Sequence, residues 1–188
     1  MTFILIVGDM NVGKTHVCNK LHSKIAEDQS FKVLDDPQNV SNTSKIDFIS
    51  HYENGGKYIV LNSPSDDDRR MTELAKYLDG LAAKGVRPDA IITTVRENNN
   101  GGYQMSRMLA LLDAFANGTP NLEHYYIQNI ESITSFAPTS FVHHAFMFHL
   151  KKLQLSGSKV DKENTLVQYW EDYADGVKYV LDFALAHL

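Results

Sequence analysis

Short apolar runs alternate along this chain with segments whose apolar residues recur every three or four positions. Phe3–Val7 is an unbroken apolar run, as expected of a strand buried on both faces in a parallel sheet. It leads into a glycine-bearing stretch, after which Val17, Leu21 and Ile25 mark one face of a helix. The segments "FKVL" (31–34), "YIVL" (58–61), "DAIITTV" (89–95) and "HYYIQ" (124–128) read as further strands. Met71, Leu74, Ala75, Leu78 and Leu81 define a second helix, closed by Gly85 and Pro88. Met105, Met108, Leu109, Leu112 and Phe115 define a third. Residues 132–162 show no clear period. From about residue 163, Leu166, Trp170, Tyr173, Val177, Leu181, Ala184 and Leu188 trace a long amphipathic terminal helix.

This β-α alternation predicts an α/β fold with a mostly parallel central sheet and helices on both faces. At 188 residues the chain is expected to form one domain, residues 1–188, with neither a repeat nor a linker. Hydrophobic residues make up 43% and charged residues 22%, an ordinary balance for a globular protein. The longest apolar runs fall well short of the ~20 residues that cross a bilayer, so no membrane span is expected. Phe3–Val7 is too short for a signal peptide, and the single cysteine, Cys18, fits a reducing cytoplasm. A net charge of −5, without a cluster of Lys and Arg, argues against direct DNA binding.

The strongest chemical signal is "GDMNVGKT", residues 8–15, which fits G-x-x-x-x-G-K-[ST]. In such a loop Gly8 and Gly13 allow the tight turn, and the backbone from Gly8 through Asp9, Met10, Asn11, Val12 and Gly13 presents N–H groups to phosphate oxygens. Lys14 adds positive charge near the β- and γ-phosphates, and the Thr15 hydroxyl is placed to ligate Mg²⁺. The loop follows a predicted strand and opens a predicted helix, whose N-terminal dipole also favours an anion. A nucleoside triphosphate is the ligand this pattern predicts.

Together with "DDPQNVSNT", "YIVLNSPS" and "PDAIITTVRENNNGGYQMSRMLALLDAF", the loop resembles the ParA/MinD group of P-loop ATPases. The likeness is greatest to its smaller plasmid-partition and conjugation relatives of the StbB and TraL kind. It spans roughly residues 1–130 and leaves the C-terminal segment, 131–188, uncovered. The resemblance implies a P-loop NTPase fold, ATP and Mg²⁺ as ligands, and a nucleotide switch acting through a homodimer or a partition or conjugation partner; the departures at Asn62 and Asp9 point to slow hydrolysis. Asp36 matches the second Asp of the family's D-x-D-P-Q segment and is implied to orient the attacking water and to lie at the metal. Leu34 stands where the first Asp belongs, with Asp35 as a neighbouring substitute. Asn62 replaces the Mg²⁺-associated Asp at the end of the family's third strand, leaving contact through water as its implied role. Asp9 occupies the position of the lysine that reaches across the family's dimer. His16 follows the phosphate loop, and Asn129 matches an Asn that reads the base at a strand end; the residues alone allow a turn position equally well.

Other features have plainer readings. Asp66, Asp67 and Asp68 suit the first turn of the next helix better than a metal. His143, His144 and His149 lack the i, i+4 spacing of a helical metal pair and suit a packed apolar segment. His16 and His22 read as exposed helix residues, and Cys18 as a buried one. A small-molecule or nucleotide kinase is the competing function, with Arg69, Arg70, Arg96 and Arg107 as candidate phosphate clamps. Surface ion pairing is the preferred reading for Arg69 and Arg70. A biotin-pathway synthetase shares the "VGKT" loop but not the remaining motifs. A non-catalytic nucleotide-binding scaffold, acting through its aromatic terminal helix, is a third reading.

Overall fold

The computed structural model describes residues 1–8, 14–35, 48–63, 70–96, 103–136 and 143–147, with helical residues at 178, 180–183 and 185–186. It is an α/β structure around a six-stranded mixed sheet, of strand order β2-β3-β4-β5-β1-β6. The strands are β1 (Thr2–Gly8), β2 (Lys32–Asp35), β3 (Phe48–Asn54), β4 (Lys57–Ser63), β5 (Ala90–Arg96) and β6 (His143–Met147). β1 pairs in parallel with β5 on one side and β6 on the other, and β5 pairs in parallel with β4. β3 is antiparallel to both β4 and β2.

The apolar run of β1 lies inside the sheet, between β5 and β6, with Phe3 through Val7 all fully buried. Phe3, Leu5 and Val7 face one layer and Ile4 and Ile6 the other, as the two-residue period of a strand requires. The first layer contains α2 (Arg70–Ala83), α3 (Tyr103–Ala116), the single-turn α4 (Leu122–Tyr125) and a π-helical turn, Tyr126–Ile130. The second contains α1 (Lys14–Glu27) and the terminal helical residues, of which Val180 is buried against the sheet. Helices therefore cover both faces.

Local chemistry explains the element ends. α2 stops at a Schellman motif: Gly85, at φ 70°, donates its N–H to Ala82 O at 2.9 Å, and Val86 N–H reaches Leu81 O at 2.9 Å. β3 turns into β4 through Gly55 and Gly56, both at positive φ, between paired Asn54 and Lys57. That is the two-residue hairpin turn whose twist matches paired strands.

Two sequence expectations change. "HYYIQ" is not a strand: residues 124–130 complete α4 and the π-helical turn. The Asp79 carboxylate accepts the N–H groups of Leu122 and Glu123 at 2.8 and 3.1 Å, starting the helix. Tyr126 and Ile130, four apart, are then buried against α2 and α3, and Tyr126 O–H reaches Met71 Sδ at 3.6 Å. Packing on one helical side overrides the strand preference of the aromatic and β-branched residues. The second change is the strand β3, where no strand was read. β6 arises in the region without a clear period. Of the predicted terminal helix, residues 163–177 lie outside the described residues.

Candidate functional site

The four parallel strands β1, β4, β5 and β6, together with β2, end at the same edge of the sheet. In open α/β sheets this carboxyl edge is where ligands bind. β1 delivers Gly8 there, and α1 begins at Lys14. The stretch Asp9, Met10, Asn11, Val12 and Gly13 between them lies outside the described residues, as do Asp36, Pro37, Gln38, Asp66–Asp68 and Arg69. Lys14 is only 7% exposed, so its ammonium is largely withdrawn from water, a placement that requires electrostatic compensation. Thr15 is half-buried in the first turn of α1, and His16 follows it in the helix.

α1 is seated by Val17, Cys18, Leu21 and Ile25, all buried. His22 joins them and is not an exposed helix residue: it is 7% exposed, with Nδ1 2.5 Å from the Tyr52 hydroxyl of β3. Phe48 meets the same imidazole edge-on at 5.7 Å between ring centres. Cys18 is fully buried beside Ser63, and burial pushes its thiol up to about 12 against the smaller opposing effect of the Ser63 hydrogen bond. This is a packed thiol, as the sequence suggests, and a poor nucleophile.

Next to β1, Gly8 lies in register with Arg96 of β5. Arg96 N–H donates to Gln104 Oε1 at 2.6 Å, tying the end of β5 to the first turn of α3. Gln104 is buried and carries no motif, so sequence reasoning passes over it.

Asn62 is nearly fully buried in β4, and its amide Nδ2 donates to Thr93 Oγ1 of β5 at 2.9 Å. β5 separates β4 from β1, which puts Asn62 two strand spacings, roughly 9.5 Å, from the strand that feeds the glycine loop. Asn62 alternates with Val60 and therefore projects toward α2 and α3, whereas α1 lies on the opposite face. Ser63, the next residue, is the one that faces α1. Asp35 ends β2 with its Oδ2 accepting the Tyr77 hydroxyl of α2 at 3.0 Å, again on the α2 side. That carboxylate, with burial as the larger cause, raises the Tyr77 phenol above its usual range.

Asn129 sits in the π-helical turn, exposed, with Nδ2 donating to Tyr125 O at 3.2 Å. The strand end that suggested base reading is absent from that segment. Among the arginines, Arg70 forks onto Glu73 at 2.6 and 2.8 Å on the surface, as a salt-bridging reading expects. Arg107 Nε donates to Ile133 O at 3.3 Å.

Among the described residues, His, Cys, Asp and Glu nowhere gather in a group of three able to hold a metal ion. None of the described helices is long and apolar enough to cross a membrane. Comparison with protein-family models, with curated proteins and with solved structures gave no match.

Proposed function

We propose that this chain is an ATP-binding P-loop protein of the ParA/MinD-like kind, working in the cytoplasm as a slowly hydrolysing, Mg²⁺-dependent partition or positioning switch. One observation carries the reading. Strand β1, flanked by parallel strands on both sides, ends at Gly8 and α1 starts at Lys14, so "GDMNVGKT" links strand and helix at the carboxyl edge of the sheet. That context gives the motif its meaning: backbone N–H groups and a helix N-terminus converge on the phosphates. Lys14 would neutralise the β- and γ-phosphates, Thr15 would ligate Mg²⁺, and Asp36 would orient the attacking water.

The position of Asn62 favours slow over fast turnover. A neutral amide held by Thr93 on the α2 side supplies no charge to a metal. In such a switch the bound γ-phosphate orders neighbouring loops and its loss releases them. Arg70 and Arg107 are occupied by Glu73 and by the Ile133 carbonyl, which disfavours a kinase clamp built on them.

Binding of a fluorescent ATP analogue, Mg²⁺-dependent phosphate release and size in solution test the reading together. Binding and slow release, both lost in Lys14→Ala, with a nucleotide-dependent change of size or partner affinity, support it. Tight binding without release or change of state would leave a scaffold, and phosphate transfer only on addition of an acceptor would make the protein a kinase. Absence of binding would overturn the nucleotide assignment itself.

A further inference from the structure

A cleft of about 680 Å³ lies between α2 and the β2–β3 side of the sheet, on the face opposite α1. Its size is that of a small-molecule site, about 300–1,000 Å³. Leu34, Asp35, Ile49 and His51 form the strand wall. The helix wall is a single stripe of α2, since Glu73, Lys76, Tyr77 and Gly80 recur at intervals of three and four, with Lys84 just past its end.

Three features of this cleft lack a structural purpose within the fold. His51 is 5% exposed, and its buried Nε2 has no hydrogen-bond partner among the described residues, a costly arrangement for a polar atom. Gly80 lies inside a helix, where glycine costs about 1 kcal/mol relative to alanine. Nothing obliges it to be small: an added Cβ would meet no atom within 4 Å. It leaves the cleft open. The charges are also uneven. Glu73 is paired with Arg70, and Lys76 and Lys84, which make no ion pair among the described residues, outnumber the remaining carboxylate, Asp35, whose charge the neutral Tyr77 hydroxyl bonds without cancelling.

We infer that this cleft is a binding site for a small organic anion, with its apolar body on Leu34, Ile49 and Leu81, a polar group at His51, and its carboxylate or phosphate at Lys84 and Lys76. The electrostatics agree. Burial holds the His51 imidazole below its usual range, opposed by Asp35 and assisted by Lys84, so at neutral pH the ring is uncharged and does not replace the lysines as the anion's partner. Aliphatic side chains from both walls supply the apolar contact that such sites combine with a few polar groups. The site is separate from the glycine loop and does not depend on the nucleotide reading.

The test is a titration of the full ¹⁵N-labelled chain with benzoate and phenyl phosphate, using benzamide as the neutral control. It is run in the wild-type protein and in Lys14→Ala, so that phosphate at the glycine loop is recognised. Both anions are expected to shift the Tyr77, Gly80 and Lys84 amides and the His51 ring signals in both proteins, and benzamide is not. Gly80→Leu fills the cleft without meeting a neighbour at Cβ and is expected to abolish the shifts. Lys84→Gln, an exposed substitution, is expected to weaken binding about tenfold. No shift at millimolar anion, shifts confined to other residues, or equal binding by benzamide would overturn the assignment. So would unchanged affinity in folded Gly80→Leu or in Lys84→Gln.

Discussion

The Tyr52 hydroxyl and His22 Nδ1 meet at 2.5 Å in the buried layer between β3 and α1. The bond fastens the helix that starts at Lys14 to a strand that is not its neighbour in sequence, and Ser50 Oγ stands 3.5 Å from the same nitrogen. Tyr52→Phe keeps the ring packing and removes this partner. It is expected to cost about 1–2 kcal/mol in urea unfolding, and a double-mutant cycle with His22→Leu should show that the two residues are coupled. Additive effects would mean that the bond contributes nothing.

Cys18 should behave as a thiol that is protected while the protein is folded. Its folded-state value near 12 lies above the ordinary 9.0, so the folded chain holds the proton more tightly than the unfolded one. The resulting stability is present below pH 9 and is lost as pH rises toward 12, at a limiting slope of about 1.4 kcal/mol per pH unit. Native protein at pH 8 should react slowly with a disulfide reagent and fully once unfolded in urea. Cys18→Ala should flatten the alkaline limb of the stability profile.

Asn62→Asp would restore the carboxylate that the ParA/MinD resemblance expects. In this sheet it would bury a charge beside Thr93, on the side away from α1. The expected outcome is a loss of about 1–3 kcal/mol at pH 7 with no gain in ATP turnover, measured by denaturation and phosphate release. Faster turnover would show that position 62 reaches the metal.

Asp79 starts the helical turn at 122–125 by accepting two backbone N–H groups. Asp79→Ala should destabilise the protein by about 1–2 kcal/mol, as loss of a helix cap does. Hydrogen exchange of the Tyr125 and Tyr126 amides should accelerate, because α4 loses its acceptor while the α2–α3 core persists.

The parts of the fold readable in sequence are those in which one periodicity dominates. β1 is a continuous apolar run, β5 is rich in β-branched residues and almost wholly buried, and the buried residues of α2 match the predicted stripe residue for residue. β3 escapes because Phe48, Ser50 and Tyr52 face one layer while Ile49 and His51 face the other, so neither face reads as purely apolar. Asn54-Gly55-Gly56-Lys57 was the available signal, a hairpin turn needing a strand on each side. His22 escapes for a related reason: its spacing from Cys18 and Ile25 is that of the buried stripe, but its bonding partner lies on the strand that went unread. β1 ends and α1 begins on either side of residues 9–13 as the pattern predicts, while those five residues lie outside the described ones. Asn62 and Asn129 depend on strand order and on element type, which local spacing does not encode.

Because β1 lies between two parallel strands, Phe3 is paired with Ile91 on one side and His143 on the other. β1 is thus completed only by segments synthesised much later, and its pairing requires closure of two long loops. The β3–β4 hairpin can form at once from neighbouring residues, whereas the strand that presents Gly8 must wait. Any ligand gripped at Gly8–Thr15 would therefore be held only by a chain whose folding is nearly complete, coupling competence at that edge to the last long-range step of assembly.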